Sequence, residues 1–179
     1  MRRPSRKGVK PPRSAREPER DDIVTIVSRS PDETIALGIR IAHLVQPGDV
    51  MALTGELGTG KTCLTQGIGR GLGVPAEQFV RSASFVVVNR YDGVYPLWHI
   101  DAYRLDTPAD FAALGYEELI DSGCVAVIEW AEKAAGLLPA RTVQIALEHV
   151  APTERRIQID YSSIPAHRKP EWKRGLTVR

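Results

Sequence analysis

The sequence predicts an α/β fold, a mixed β-sheet flanked by helices, and three observations carry that expectation. Short strand-like apolar runs alternate with segments of helical period. The run "CVAVIEW" (124–130) is almost continuously apolar, as suits a strand covered on both faces. The segments "TVQIALEHV" and "RRIQIDY" flank Ala151-Pro152-Thr153 and read as a closing antiparallel pair, which makes the sheet mixed.

Taken in order, "DIVTIVS" (22–28) reads as the first strand. "SPDET" then opens a helix, with Ser30 as N-cap, Pro31 in the first turn and Glu33 at the capping-box position. Ile35, Ile39 and Ala42 are expected on its buried face, and "QPGD" is expected to stop it near Pro47. "VMALTG" (50–55) is a short strand running into a glycine loop, and Leu64, Ile68 and Leu72 mark the helix after it. Gly67, Gly69 and Gly71 weaken that helix, each by up to ~1 kcal/mol relative to Ala. "FVVVNRY" (85–91) and "VYPLWHI" (94–100) flank Asp92-Gly93, a two-residue hairpin signal. A single helix is expected over 107–121, capped by Asp106 or Thr107 with Pro108 in its first turn.

Charge divides the chain. Residues 1–20 hold eight Lys/Arg against two acids, and 165–179 hold five against one. With a net charge of +2 overall, the stretch 21–164 carries −8. The expected organisation is a basic, solvated tail over 1–21, one domain over 22–162 and a second basic tail over 163–179. An acidic body repels phosphates and makes a poor nucleic-acid surface, so any contact with RNA falls to the tails. No apolar run approaches the ~20 residues that span a bilayer, and residues 1–20 lack the apolar core of a signal peptide. The expected address is the cytoplasm, without a membrane partner. Cys63 and Cys124 are too few for a disulfide framework and read as reduced, buried residues.

"GELGTGKT", Gly55 to Thr62, satisfies G-x-x-x-x-G-K-[ST] between an expected strand and an expected helix. Gly58 and Gly60, with Thr59 between them, let successive N–H groups turn inward into an anion nest. The helix N-terminus adds partial positive charge. Lys61 is placed to reach β- and γ-phosphates, and the Thr62 hydroxyl to ligate Mg²⁺. Such a loop needs a carboxylate beside the metal. Glu129 ends the buried run "CVAVIE" and Asp101 ends "VYPLWHID", so two acids leave strand ends beside the loop. An acid directly after five apolar residues is costly unless used. Trp130 can stack on a base or fill the core; His99 and Tyr103 fall in "WHIDAYRL" (98–105), a cluster that reads either as the inside of an active site or as a hydrogen-bonded core histidine and an edge aromatic.

In order and spacing, "GELGTGKTCL", "SASFVVVNRY", "HIDAYRL", "LGYEELI" and "VIEWAE" resemble the TsaE (YjeE) family of P-loop ATPases, over about Ile23 to Tyr161. The resemblance implies a P-loop NTPase-like domain that binds ATP and Mg²⁺ and hydrolyses ATP slowly alone. It implies a requirement for threonylcarbamoylation of adenosine 37 in tRNA, by action on a complex of TsaB and TsaD, with tRNA contacted indirectly. On that likeness Thr62 and Glu129 hold the metal, and Asp101 is the essential acid near the γ-phosphate. Ser84 stands in a nucleotide-sensing segment, Trp130 lies beside the base, and Glu33 touches the nucleotide as an alternative to its capping role. Two departures stand out: Ala83 where the family has proline, and Cys63 where it commonly has a hydroxyl. Two other readings share the phosphate loop. One is a small-molecule or nucleoside kinase; the other is a nucleotide-gated module that binds RNA or protein.

Overall fold

The computed structural model describes residues 20–75, 77–78, 87–121, 123–134 and 136–177. Seven strands form one sheet in the order β1-β7-β6-β2-β5-β4-β3. They are β1 (Ile23–Ser28), β2 (Val50–Thr54), β3 (Val88–Tyr91), β4 (Leu97–Asp101), β5 (Val125–Glu129), β6 (Thr142–His149) and β7 (Arg155–Asp160). The central strands β6, β2, β5 and β4 run parallel, while β3, β7 and β1 each run antiparallel to their neighbours. The sheet is therefore mixed, as expected.

Strand alternation builds two cores. Met51, Leu53, Leu97, Val125 and Val127 point to one face, under α1 (Pro31–Ala42) and α2 (Lys61–Gly71). Val50, Ala52, Ile100, Ala126 and Ile128 point to the other, under α3 (Pro108–Ala112) and α4 (Tyr116–Asp121). Every residue of β5 is buried, which explains the unbroken apolar run. Among the described residues, no helix is long and apolar enough to cross a membrane.

The helices depart from the expectations in instructive ways. Ser30 caps α1 by accepting the Glu33 N–H at 3.1 Å, and Glu33 Oε2 reaches back to the Arg29 N–H at 2.8 Å. The helix ends at Ala42, short of Pro47, and its buried stripe is Thr34, Leu37, Gly38, Ile41 and Ala42; Ile35 and Ile39 are only half-buried. Close packing of α1 on α2 sets that rotation. A Cβ at Gly38 would lie 2.4 Å from the Leu64 carbonyl oxygen, and one at Gly67 would lie 2.2 Å from that of Ile35. The glycines that weaken α2 as an isolated helix thus let two backbones touch.

The hairpin is longer than its Asp-Gly signal. Pairing stops at Tyr91 opposite Leu97, leaving 92–96 as the loop. The Val94 N–H donates instead to the Leu72 carbonyl at 2.7 Å, which ties the loop to the end of α2. The single helix expected over 107–121 is two short ones. Thr107 and Asp110 form the capping box of the first, and Gly115, at φ 66°, separates it from the second.

The largest correction concerns the second basic tail. Residues 163–177 pack on the body through one face while the other stays exposed: they include α5 (Lys169–Leu176), whose Trp172 and Leu176 lie fully in the core. The Arg168 guanidinium grips both carboxylate oxygens of Asp49, at 2.8 and 2.6 Å, and Lys169 pairs with Asp22 at 2.6 Å. Low overall apolar content hid two large apolar residues at i, i+4 spacing. Opposite charge then draws the basic segment onto the acidic body. The packed core thus takes in side chains beyond residue 162, as far as Leu176. Of the first tail, 1–21, residues 1–19 lie outside the described residues, and Arg20 and Asp21 belong to a short turn of helix over Arg20–Asp22.

Two stability measurements follow from this packing. Trp172→Ala is expected to lower the unfolding free energy in urea by about 3–5 kcal/mol; a change below ~1 kcal/mol would mean that α5 is dispensable. Gly67→Ala is expected to destabilise despite its gain of up to ~1 kcal/mol in helix propensity, and a net stabilisation would contradict the backbone contact.

Candidate nucleotide and metal site

The loop between β2 and α2 is shaped by its glycines. Gly58 and Gly60 take φ of 79° and 99°, which side chains resist, and Gly60 caps α2 without any side-chain hydrogen bond. The first N–H groups of α2 are thus left for an external acceptor. Thr59 is 1 % exposed, and its hydroxyl donates to the Glu56 carbonyl at 2.9 Å, so it scaffolds the loop. Lys61 Nζ donates to the Gly55 and Glu56 carbonyls at 2.6 and 2.9 Å and sits 3.7 Å from the centre of the Trp130 ring. Burial pushes its ammonium below the ordinary lysine pKa, against the opposing charges of Glu129, Glu132 and Asp101.

Glu129 lies at the heart of the arrangement. Its parity on β5 places it on the α2 face, at the C-terminal end of the strand. The Thr62 hydroxyl donates to Oε2 at 2.9 Å. On Oε1 converge the Thr65 hydroxyl at 3.0 Å and His99 Nε2 at 2.9 Å. Burial acts to raise the carboxyl pKa. The hydrogen bond and charge of His99 and the two threonine hydroxyls outweigh it and hold Glu129 below the ordinary carboxylate range. A charged oxygen and a hydroxyl therefore meet at the first turn of α2.

Asp101 stands level with Glu129 in the β4–β5 pairing and points to the same face. It is 5 % exposed, and Oδ1 accepts the Tyr103 N–H at 3.1 Å, opening a single turn over 102–104. Tyr103 from that turn meets Trp130 with ring centres 4.9 Å apart. Trp130 itself takes a left-handed φ of 58°, uncommon for a large side chain, and this turns its ring over Lys61.

A cavity of about 220 Å³ opens between Lys61, Thr62, Glu129 and Trp130, with Gly58, Gly60 and Cys63 on its wall. The same three wall residues border a second cleft of about 290 Å³, closed by Ser30, Pro31, Thr34 and Arg155. A larger cavity, of about 690 Å³, lies apart from this chemistry between β1 and α1. Glu33 lines that cavity and is engaged in capping. Cys63 is half-buried at the loop, and burial followed by the Glu129 charge raises its thiol pKa, while Cys124 is buried. Ser84 lies outside the described residues.

The structure thus gathers Gly58, Thr59, Gly60, Lys61, Thr62, Cys63, Asp101, Glu129 and Trp130 around the loop and leaves Glu33 at a helix cap. Sequence reasoning passed over Thr65 and placed His99 in an active-site-like cluster or in the core, without pairing it to Glu129. Both carried a signal: Thr65 follows Thr62 by three on a helix, and His99 precedes Asp101 by two on a strand, so each pair shares a face.

Comparison with known proteins agrees with this geometry. The family model of "Threonylcarbamoyl adenosine biosynthesis protein TsaE" matches residues 28–157. The chain is 38% identical over 133 residues to the tRNA threonylcarbamoyladenosine biosynthesis protein TsaE of Treponema pallidum, covering 74% of this chain and 97% of that one. It is 37% identical over 129 residues to the TsaE of Bacillus subtilis, covering 72% and 79%. The crystal structure of Bacillus subtilis YdiB superposes with a TM-score of 0.71 at 31% identity, over 86% of this chain and 93% of that one. The family model over residues 28–157 and these relatives show that the chain belongs to the TsaE family.

Proposed function

We propose that this chain binds ATP with Mg²⁺ at the Gly55–Thr62 loop and hydrolyses it slowly, in the service of tRNA threonylcarbamoyladenosine biosynthesis. The observation that carries the reading is the 2.9 Å contact between Thr62 and Glu129, set beside the uncapped start of α2. A hydroxyl and one carboxylate oxygen form a hard, incomplete donor set. It suits Mg²⁺, which keeps several waters and shares phosphate oxygens. Among the described residues, no group of three or more His, Cys, Asp and Glu offers a cation a closed cage. Thr62 and Glu129 would hold the ion, and its positive charge would offset that of the phosphates.

The chain's own residues supply the rest. The Lys61 ammonium lies inside the loop, held by two carbonyls that phosphate oxygens can replace. The first N–H groups of α2 would donate to anionic oxygens without reorganisation. Asp101, level with Glu129, is the residue placed to orient an attacking water. Ser84, by resemblance, senses nucleotide state. TsaB and TsaD are the proposed partners, tRNA is contacted indirectly or through the basic N-terminal segment, and the work is cytoplasmic. The names of the relatives from Treponema pallidum and Bacillus subtilis support the pathway.

The test is ATP turnover by the purified chain, alone and then with TsaB and TsaD. Slow basal turnover that rises with the two proteins is expected, and Asp101→Ala is expected to lose on the order of 10²–10³-fold in the stimulated rate. Stimulation by a small hydroxylated acceptor instead would identify a kinase. Binding has its own optical signature, because Lys61 lies against Trp130. Nucleotide is expected to shift tryptophan emission in the wild type and not in Trp130→Phe; an equal shift in both would place the nucleotide elsewhere.

A further inference from the structure

The two oxygens of Glu129 are held differently. Among the described residues, Oε2 has the Thr62 hydroxyl as its donor, whereas Oε1 lies within 2.9 Å of His99 Nε2 and 3.0 Å of Thr65 Oγ1. Both Oε1 donors are 0 % exposed, and Glu129 itself is 2 % exposed. His99 comes from β4 and Thr65 from α2, so the carboxylate is gripped from the neighbouring strand and from the covering helix. Register puts His99 beside Val127 and one pleat before Asp101, on the face that Glu129 shares.

A core role alone does not account for His99. Its Nδ1 is buried and, among the described residues, has no hydrogen-bond partner. An imidazole with one nitrogen unpaired is costlier in a dry interior than an apolar side chain of similar volume. Its side-chain hydrogen bond runs to Glu129 Oε1. Thr65 has a competing acceptor, the Lys61 carbonyl at 3.0 Å, the ordinary backbone contact of a helical threonine. A carboxylate is the stronger acceptor for its single proton.

We propose that His99 and Thr65 are positioning residues, which clamp Glu129 Oε1 and thereby dedicate Oε2 to the divalent cation shared with Thr62. The inference rests on the Mg²⁺–nucleotide reading above and adds two residues to it. Neither touches nucleotide or metal. Without the clamp the carboxylate is free to rotate, and its oxygens exchange between the Thr62 side and the strand side. Loss of such outer partners typically weakens metal binding about 10–100-fold.

The experiment is calorimetric binding of a non-hydrolysable ATP analogue to the full chain, without Mg²⁺ and over a Mg²⁺ series, with thermal melting as the folding control. His99→Leu and Thr65→Val are expected to bind the metal-free analogue within about twofold of wild type while needing about 10–100-fold more Mg²⁺ for half the metal effect. His99→Gln, whose amide can donate to Oε1, is expected to restore most of the response. An unchanged Mg²⁺ requirement in a folded His99→Leu or Thr65→Val overturns the proposal. So does an equal loss of metal-free and metal-dependent binding, which would mark the residues as structural only. If His99→Leu does not fold, the near-isosteric Thr65→Val decides. A wild type indifferent to Mg²⁺ overturns the metal reading and this proposal with it; indifferent variants beside a responsive wild type overturn the proposal alone.

Discussion

A carboxylate that is 2 % exposed, at the end of a fully buried strand, is the constraint around which the site is built. An isolated charge there would cost several kcal/mol, so the fold must surround Glu129 with donors. It does so with one side chain from the next strand and two from the helix that follows the phosphate loop. The strand order, the α2 start point and the two-residue alternation of β4 and β5 all serve that convergence.

The same logic explains the state of the loop. Lys61 is buried with its ammonium against two carbonyls and an aromatic face, a set of partners that keeps the cation satisfied. Trp130 reaches this position through an unusual backbone angle directly after Glu129. The dipeptide thus delivers a carboxylate to one side of the loop and an aromatic cover to the other. Beneath it, the glycine contact between α1 and α2 holds the start of α1 beside Gly60 and Cys63, which forms the second cleft.

Much of this was legible in the sequence because its signals are local. Strand alternation, the Ser30 and Thr107 caps and the loop motif each depend on residues a few positions apart. Glu129 and Asp101 were legible because an acid at the end of an apolar strand is chemically conspicuous. What escaped depends on tertiary contacts. The glycines of α2 read as a weakness until α1 lies against them, and the Asp-Gly hairpin signal yields to the hydrogen bond from Val94 to Leu72. Residues 163–177 read as a solvated tail because Trp172 and Leu176 are few among charges, and the charges find partners only on the folded body. Glu33 had two readings, and the structure shows the capping one at work.

The central claim is that the contact between Thr62 and Glu129 marks a cation position beside a phosphate site. The most direct measurement is a crystal structure of this chain grown with Mg²⁺ and a non-hydrolysable ATP analogue. The account predicts density for the ion against Thr62 Oγ1 and Glu129 Oε2, with Lys61 turned from the Gly55 and Glu56 carbonyls to phosphate oxygens. Nucleotide bound elsewhere, or bound here with Lys61 unmoved and Thr62 still bonded to Glu129, would contradict it.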